Sequence, residues 1–197
     1  MKNIKQKVLW GTSVMIFLGI LIGALLSFGT AVMVEHTQDA DFCASCHTMQ
    51  PMVDSYTSDV HGGANKYGMK VACLDCHLPH ESLLGYLMAK AKTGTHDVWA
   101  ELVYDKSKID WEAKRKKATE FVYDSACLGC HKGLESSTMG NHRAFIAHKE
   151  YFGKRTKKHC VSCHQHVGHH LLGKYLKKAK VEAESLKNSL IKGEKND

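Results

Sequence analysis

All eight cysteines of this 197-residue chain fall into four copies of one pattern: CASCH from residue 43, CLDCH from 73, CLGCH from 127 and CVSCH from 160. Such a run is what covalent attachment of c-type haem requires. Two thiols one helical turn apart add to the vinyl groups, and the histidine beside the second reaches the iron under the ring. Paired cysteines also build zinc ribbons, and cysteine-rich exported chains often form disulfides. Zinc leaves the four adjacent histidines unexplained, and disulfides do not ask for a repeated three-residue spacing. The expected cofactors are therefore four covalently bound haem c groups. They attach through Cys43 and Cys46, Cys73 and Cys76, Cys127 and Cys130, and Cys160 and Cys163, with His47, His77, His131 and His164 as the default iron ligands.

Four haems constrain the fold. About 160 residues follow the first apolar run, roughly 40 per haem, too few for a conventional core, so the porphyrins themselves must supply it. The expected class is mainly α with extensive loops and essentially no sheet. Helical periodicity shows over 82–102, over 110–124 and from Leu171 onward. The motif starts lie 30 and 33 residues apart within two pairs and 54 apart between them, which reads as two dihaem modules. The expected layout is a cytoplasmic basic flank (1–8), a transmembrane anchor (9–34), a first dihaem module (35–103), a charged connector helix (104–125), a second dihaem module (126–172) and a charged helical tail that frays at its end (173–197).

Leu9 to Val34 runs 26 residues without a charge, about 39 Å as a helix, against a hydrocarbon core of about 30 Å. A cleaved secretory signal has a shorter apolar region ending in a small-x-small site. Here SFGTA is followed by more apolar residues, so a retained anchor is expected. Lys2, Lys5 and Lys7 precede it with no acid, which keeps that end in the cytoplasm and the rest outside. The expected location is a bacterial inner membrane, single-pass, with the haem domain in the periplasm and membrane lipid as a partner. Gly19 and Gly23 form one Gly-x-x-x-Gly, a weak helix-pairing signal that leaves a homo-oligomer open.

The formal charge of +7 does not imply a polyanion. Eight haem propionates would bring it to about zero, and no interleaving of aromatic and basic residues suggests nucleic acid.

Ten of the 14 histidines lie outside the motifs and are candidates for the opposite iron faces. His61 and His148 each stand 12 residues before the second motif of their pair, and His169 follows His164 by five. His80, three after His77, is a weaker candidate, and His142, His159, His166 and His170 are substitutes.

The sequence resembles the NapC/NirT family of membrane-anchored tetrahaem quinol dehydrogenases, which includes the NrfH proteins. The likeness rests on the short gap from anchor to first motif, on CHTMQP, VHGGANKYGMKVACLDCHLPH, THD at 95–97, EAKRK in the connector and CHQHVGHH at the last motif. It implies that Met49, in place of His47, binds the first iron. It also implies that Asp97 and Lys90 form a quinol site there, with His96 as an alternative base. His61 would serve the third haem, His169 the second and His148 the fourth, although some members borrow a ligand from a partner subunit. The implied function is oxidation of menaquinol or a similar quinol, with electrons passed to a periplasmic terminal reductase in anaerobic respiration. Two alternatives are a passive multihaem carrier without a quinol site and a multihaem reductase acting on nitrite or a sulfur compound.

Overall fold

The computed structural model describes residues 2–193. It opens on α1 (Lys2–His36), a single unbroken helix whose stretch Gln6–His36 is long and apolar enough to cross a membrane. The expected boundary at residue 9 is not a structural one, because the basic flank continues the same helix. Its hydroxyls bond back to carbonyls one turn earlier: Thr12 to Val8 (3.0 Å), Ser13 to Leu9 (3.0 Å) and Thr30 to Leu26 (2.8 Å). No polar side-chain group among these three is left to face lipid unpaired.

Short helices follow: α2 (Ala40–Cys43), α3 (Gln50–Thr57) and α4 (Cys73–His77). Pro51 in the first turn starts α3, where its missing N–H costs nothing. The 21-residue α5 (Leu83–Val103) begins at Ser82, whose hydroxyl accepts from the Gly85 N–H at 3.1 Å.

The expected connector helix does not form as one piece. Residues 104–125 hold a 3-10 turn at Lys106–Lys108, α6 (Trp111–Arg115) and another turn at Ala118–Glu120. Asp105 and Asp110 each start a fresh segment, accepting from the backbone of Ser107 (3.1 Å) and Ala113 (2.9 Å). The KRKK run at 114–117 crowds four cations into one turn. The chain then returns to the second motif, where the Tyr123 N–H meets the Cys76 carbonyl at 3.3 Å. A straight helix could not make that return.

The second half holds α7 (Asp124–Cys130), α8 (Leu134–Ser137), α9 (His142–Phe152), α10 (Cys160–Cys163) and α11 (Leu172–Gly193). Residues 194–197, the expected fraying end, lie outside the described residues. One isolated bridge, Gly62 to Lys70, is the only β pairing among the described residues. α11 packs on α3, α4 and α10 pack on α7, and α8 packs on α9.

Among the described residues the buried apolar side chains of the core are Met52, Leu78, Ala126, Val161 and Leu172. Five small anchors cannot stabilise a domain of this length by burial alone. Cofactor surface has to complete the core.

Candidate haem and quinol sites

Three motif histidines each face one imidazole from elsewhere in the chain. The ring centroids of His61 and His131, of His77 and His169, and of His148 and His164 are each 6.2 Å apart. With metal–nitrogen bonds of about 2.0–2.1 Å and a ring radius of about 1.1 Å, both imidazoles of a pair at that separation could bind one metal. Each pair is therefore spaced for an iron between the rings. No cluster of three or more His, Cys, Asp or Glu side chains suited to a bare metal ion occurs among the described residues. A porphyrin, which brings four of its own nitrogens, fits this donor set; zinc does not.

Two of the three pairs cross between the expected modules, and His148 and His164 pair within the second. His61 precedes the second motif but faces the third, and His169 follows the fourth but faces the second. Neither module can complete its imidazole pairs alone.

Local bonds aim the rings. His61 Nδ1 lies 3.1 Å from Asp59 Oδ1, and the same oxygen accepts from the His61 N–H at 2.8 Å. Asp59 is only 6 % exposed. A carboxylate can only accept, so Nδ1 carries the proton and Nε2 is free for metal. His77 Nδ1 donates to the Phe121 carbonyl (3.0 Å), and His169 Nδ1 donates to the Met52 carbonyl (3.2 Å) beside Ser55 Oγ (3.0 Å). Burial pushes both His77 and His169 down, His169 to about 4, with His77 itself adding to the effect on His169. Both rings are neutral near pH 7, the form that ligates metal. His148 Nδ1 is buried with no partner, so no hydrogen bond fixes that ring.

The loop that carries His61 is built for one conformation. A Cβ on Gly62 would sit 1.8 Å from the Tyr56 carbonyl oxygen, so no other residue fits there. Gly63 has φ +104°. Asn65 holds the far side, donating to Val60 and Met69 carbonyls (both 2.7 Å), and the Tyr56 hydroxyl donates to the Val71 carbonyl at 2.6 Å.

The substitute histidines are engaged elsewhere or exposed. His80 meets the Tyr86 ring edge-on, His159 pairs with Asp124 at 3.3 Å, and His166 contacts the Arg115 guanidinium. His142 and His170 are exposed. None of them forms such a pair with a motif histidine.

The first motif differs from the others. Among the described residues no imidazole faces His47 at the pair separation. His47 is exposed and Met49 half-buried, both in the turn His47–Met49. Thr48 Oγ1 donates to Glu101 on α5 (3.1 Å), and Lys106 pairs with the same carboxylate at 2.7 Å. The Lys106 ammonium holds the Glu101 carboxyl below its usual range.

Lys90 and Asp97 are seven residues apart on α5, so they share a face about 10 Å apart along the axis. Lys90 Nζ donates to the carbonyls of Val34 (3.1 Å) and Thr37 (3.4 Å) at the end of α1. Burial lowers its pKa, and the Cys43 thiolate opposes that. Asp97 is exposed, with His96 Nδ1 at 3.2 Å. Cys43 is pushed down to about 7, first by a hydrogen bond from Cys73; Lys90 adds to this and Asp97 opposes it, so both α5 residues flank the first motif. Cys127 is likewise pushed down to about 7 by Cys160. The first thiols of each module's two motifs thus meet, which is the internal repeat expressed in space.

The model of the NapC/NirT cytochrome c family, N-terminal region, matches residues 5–174. The chain belongs to this family. As a NapC/NirT cytochrome it is an electron-transport protein with covalently bound haem c, and α1 is its transmembrane helix. It is 31 % identical over 165 residues to the cytochrome c-type protein TorY of Escherichia coli O157:H7, covering 76 % of this chain but only 43 % of TorY, less than half its length. It is 32 % identical over 169 residues to the tetraheme c-type cytochrome CymA of Shewanella oneidensis, covering 79 % and 88 % of the two chains. A crystal structure of the cytochrome c nitrite reductase NrfHA complex bound to the HQNO inhibitor contains a chain 29 % identical, with a TM-score of 0.50 over 79 % of this chain and 90 % of that one.

Sequence reasoning missed Asp59, Gly62 and the Phe121 carbonyl. Asp59 had a legible signal, an acceptor two residues before a candidate ligand. The Phe121 carbonyl had none, because any residue supplies one.

Proposed function

We propose that this NapC/NirT cytochrome is a tetrahaem quinol dehydrogenase, oxidising menaquinol or a similar quinol at the outer face of a bacterial inner membrane and delivering electrons to a periplasmic reductase. The observation that carries the reading is the asymmetry of the first motif. Three motif histidines have an opposing imidazole, whereas among the described residues His47 has none, and this motif is tied through α5 to the last turn of the transmembrane helix. The irregular site therefore stands at the lipid boundary, where a lipophilic donor arrives.

In this reading His61 and His131, His77 and His169, and His148 and His164 hold three haems, and Met49 holds the first in preference to His47. The eight motif cysteines carry the thioether links. Haem, when bound, supplies iron that changes charge by one electron at a time. Quinol gives two electrons and two protons, so the chain must take up protons at the site. Asp97, exposed to solvent, accepts one; His96 beside it is the alternative base. Lys90 spends two of its three N–H bonds on the anchor and has one for a quinol oxygen. The inhibitor-bound NrfHA complex supports the class of reaction, and the basic residues at the start of α1 support a periplasmic haem domain.

The test is reduction of the haems by a menaquinol analogue in membranes, comparing the parent with Asp97→Asn. The variant is expected to keep all four haems and to lose about 10²-fold or more in rate. Failure of the parent to accept electrons from quinol would leave a passive carrier. Unchanged turnover of the variant would remove Asp97 from the site.

A further inference from the structure

α5 carries more apolar surface than its contacts use. With Lys90 as zero and about 100° per residue, Asp97 and Glu101 fall within about 20° of it, facing the anchor and the first motif. The arc from about 80° to 180° holds Leu84, Met88, Val98, Trp99 and Leu102, each 60–79 % exposed. No carboxylate lies in that arc. Its one hydroxyl, on Thr95, is satisfied by the Ala91 carbonyl at 2.8 Å.

We propose that this face of α5 is seated in the membrane, at the boundary between headgroups and acyl chains, as a second attachment beside α1. Three observations choose lipid over another protein surface. The Lys90 bonds to Val34 and Thr37 fix the middle of α5 at the level where the transmembrane helix ends. The arc is turned about 120° from Lys90, away from α1 and from the Glu101–Thr48 contact, so it opens onto the space beside the anchor, which at that level is bilayer. Trp99 stands at one margin of the arc, and the exposed Lys92 lies just beyond it. An indole and an ammonium there suit the headgroup layer and its anionic phosphates.

A helix of about 31 Å lying flat would hold the cytochrome domain at a fixed tilt, with the first motif against the lipid. This holds whether or not quinol is the electron donor, because it concerns only where α5 lies.

The test places the photoreactive residue p-benzoylphenylalanine at Leu84, Val98 or Leu102, or off the arc at His96, about 110° round the helix from its centre, in the full haem-loaded chain. Each variant is put in vesicles of phosphatidylethanolamine and phosphatidylglycerol and irradiated, and the adducts are weighed by mass spectrometry. Soret absorbance per chain reports that each variant is intact. Phospholipid adducts at 84, 98 and 102, with none at 96, are expected. Crosslinks from the three positions to a second copy of the chain, equal lipid labelling at 96, or no lipid adduct at all would each overturn the proposal.

Discussion

Asp59→Asn changes one charge and almost no shape. The carboxylate accepts from both the N–H and Nδ1 of His61 while almost fully buried. Negative charge pushed onto the ring through Nδ1 makes Nε2 a stronger donor and favours ferric over ferrous iron. Losing such a partner typically costs 10–100-fold in metal affinity, and if the loss falls on the ferric state it is about 1.4–2.8 kcal/mol. For a one-electron couple this would raise the potential of the haem proposed to be held by His61 and His131 by about 60–120 mV. Asparagine keeps the side-chain oxygen, so the ring stays in place and the iron low-spin. Spectroelectrochemical titration of the four haems is the assay, with the low-spin EPR signals as control for ligation. One of the four potentials is expected to rise while the others hold. Four unchanged potentials with intact ligation would refute the idea that Asp59 acts through the imidazole.

Gly62→Ala forces a methyl carbon into the Tyr56 carbonyl and is expected to cost more than about 3 kcal/mol, seen as a large drop in the Soret-monitored melting temperature. Gly68→Ala, where φ is +64° but the space is open, should cost only about 1 kcal/mol. Asp124 sets an acid limit. Burial alone would raise its carboxyl, but hydrogen bonds from the Cys160 N–H (2.9 Å) and the Tyr151 hydroxyl (2.8 Å) outweigh it and hold the carboxyl below its usual range. A folded pKa depressed in this way contributes stability above the unfolded value of about 3.9 and loses it as pH falls through the folded one. Asp124→Asn should therefore lower the melting temperature at pH 7 and flatten its fall below about pH 4. An equal drop at every pH would contradict the assignment.

The cysteine pattern made the cofactor chemistry legible because covalent attachment demands fixed spacing. The long helix was legible because lipid tolerates no charge over its thickness, and α5 because its apolar residues recur with helical period. The connector was not. Its composition favours helix; the caps at Asp105 and Asp110 and the cations at 114–117 interrupt it locally, but the return of Phe121 and Tyr123 to the second motif is a tertiary demand. The same holds at Lys90. Its two bonds to carbonyls of the anchor depend on where α1 ends in space, which no local pattern encodes.

EPR of the fully oxidised, membrane-bound cytochrome counts iron environments directly. The account predicts three low-spin signals of the two-imidazole type and a fourth, distinct signal that alone changes when a menaquinol analogue is added. Four two-imidazole signals, none of them sensitive to quinol, would contradict it.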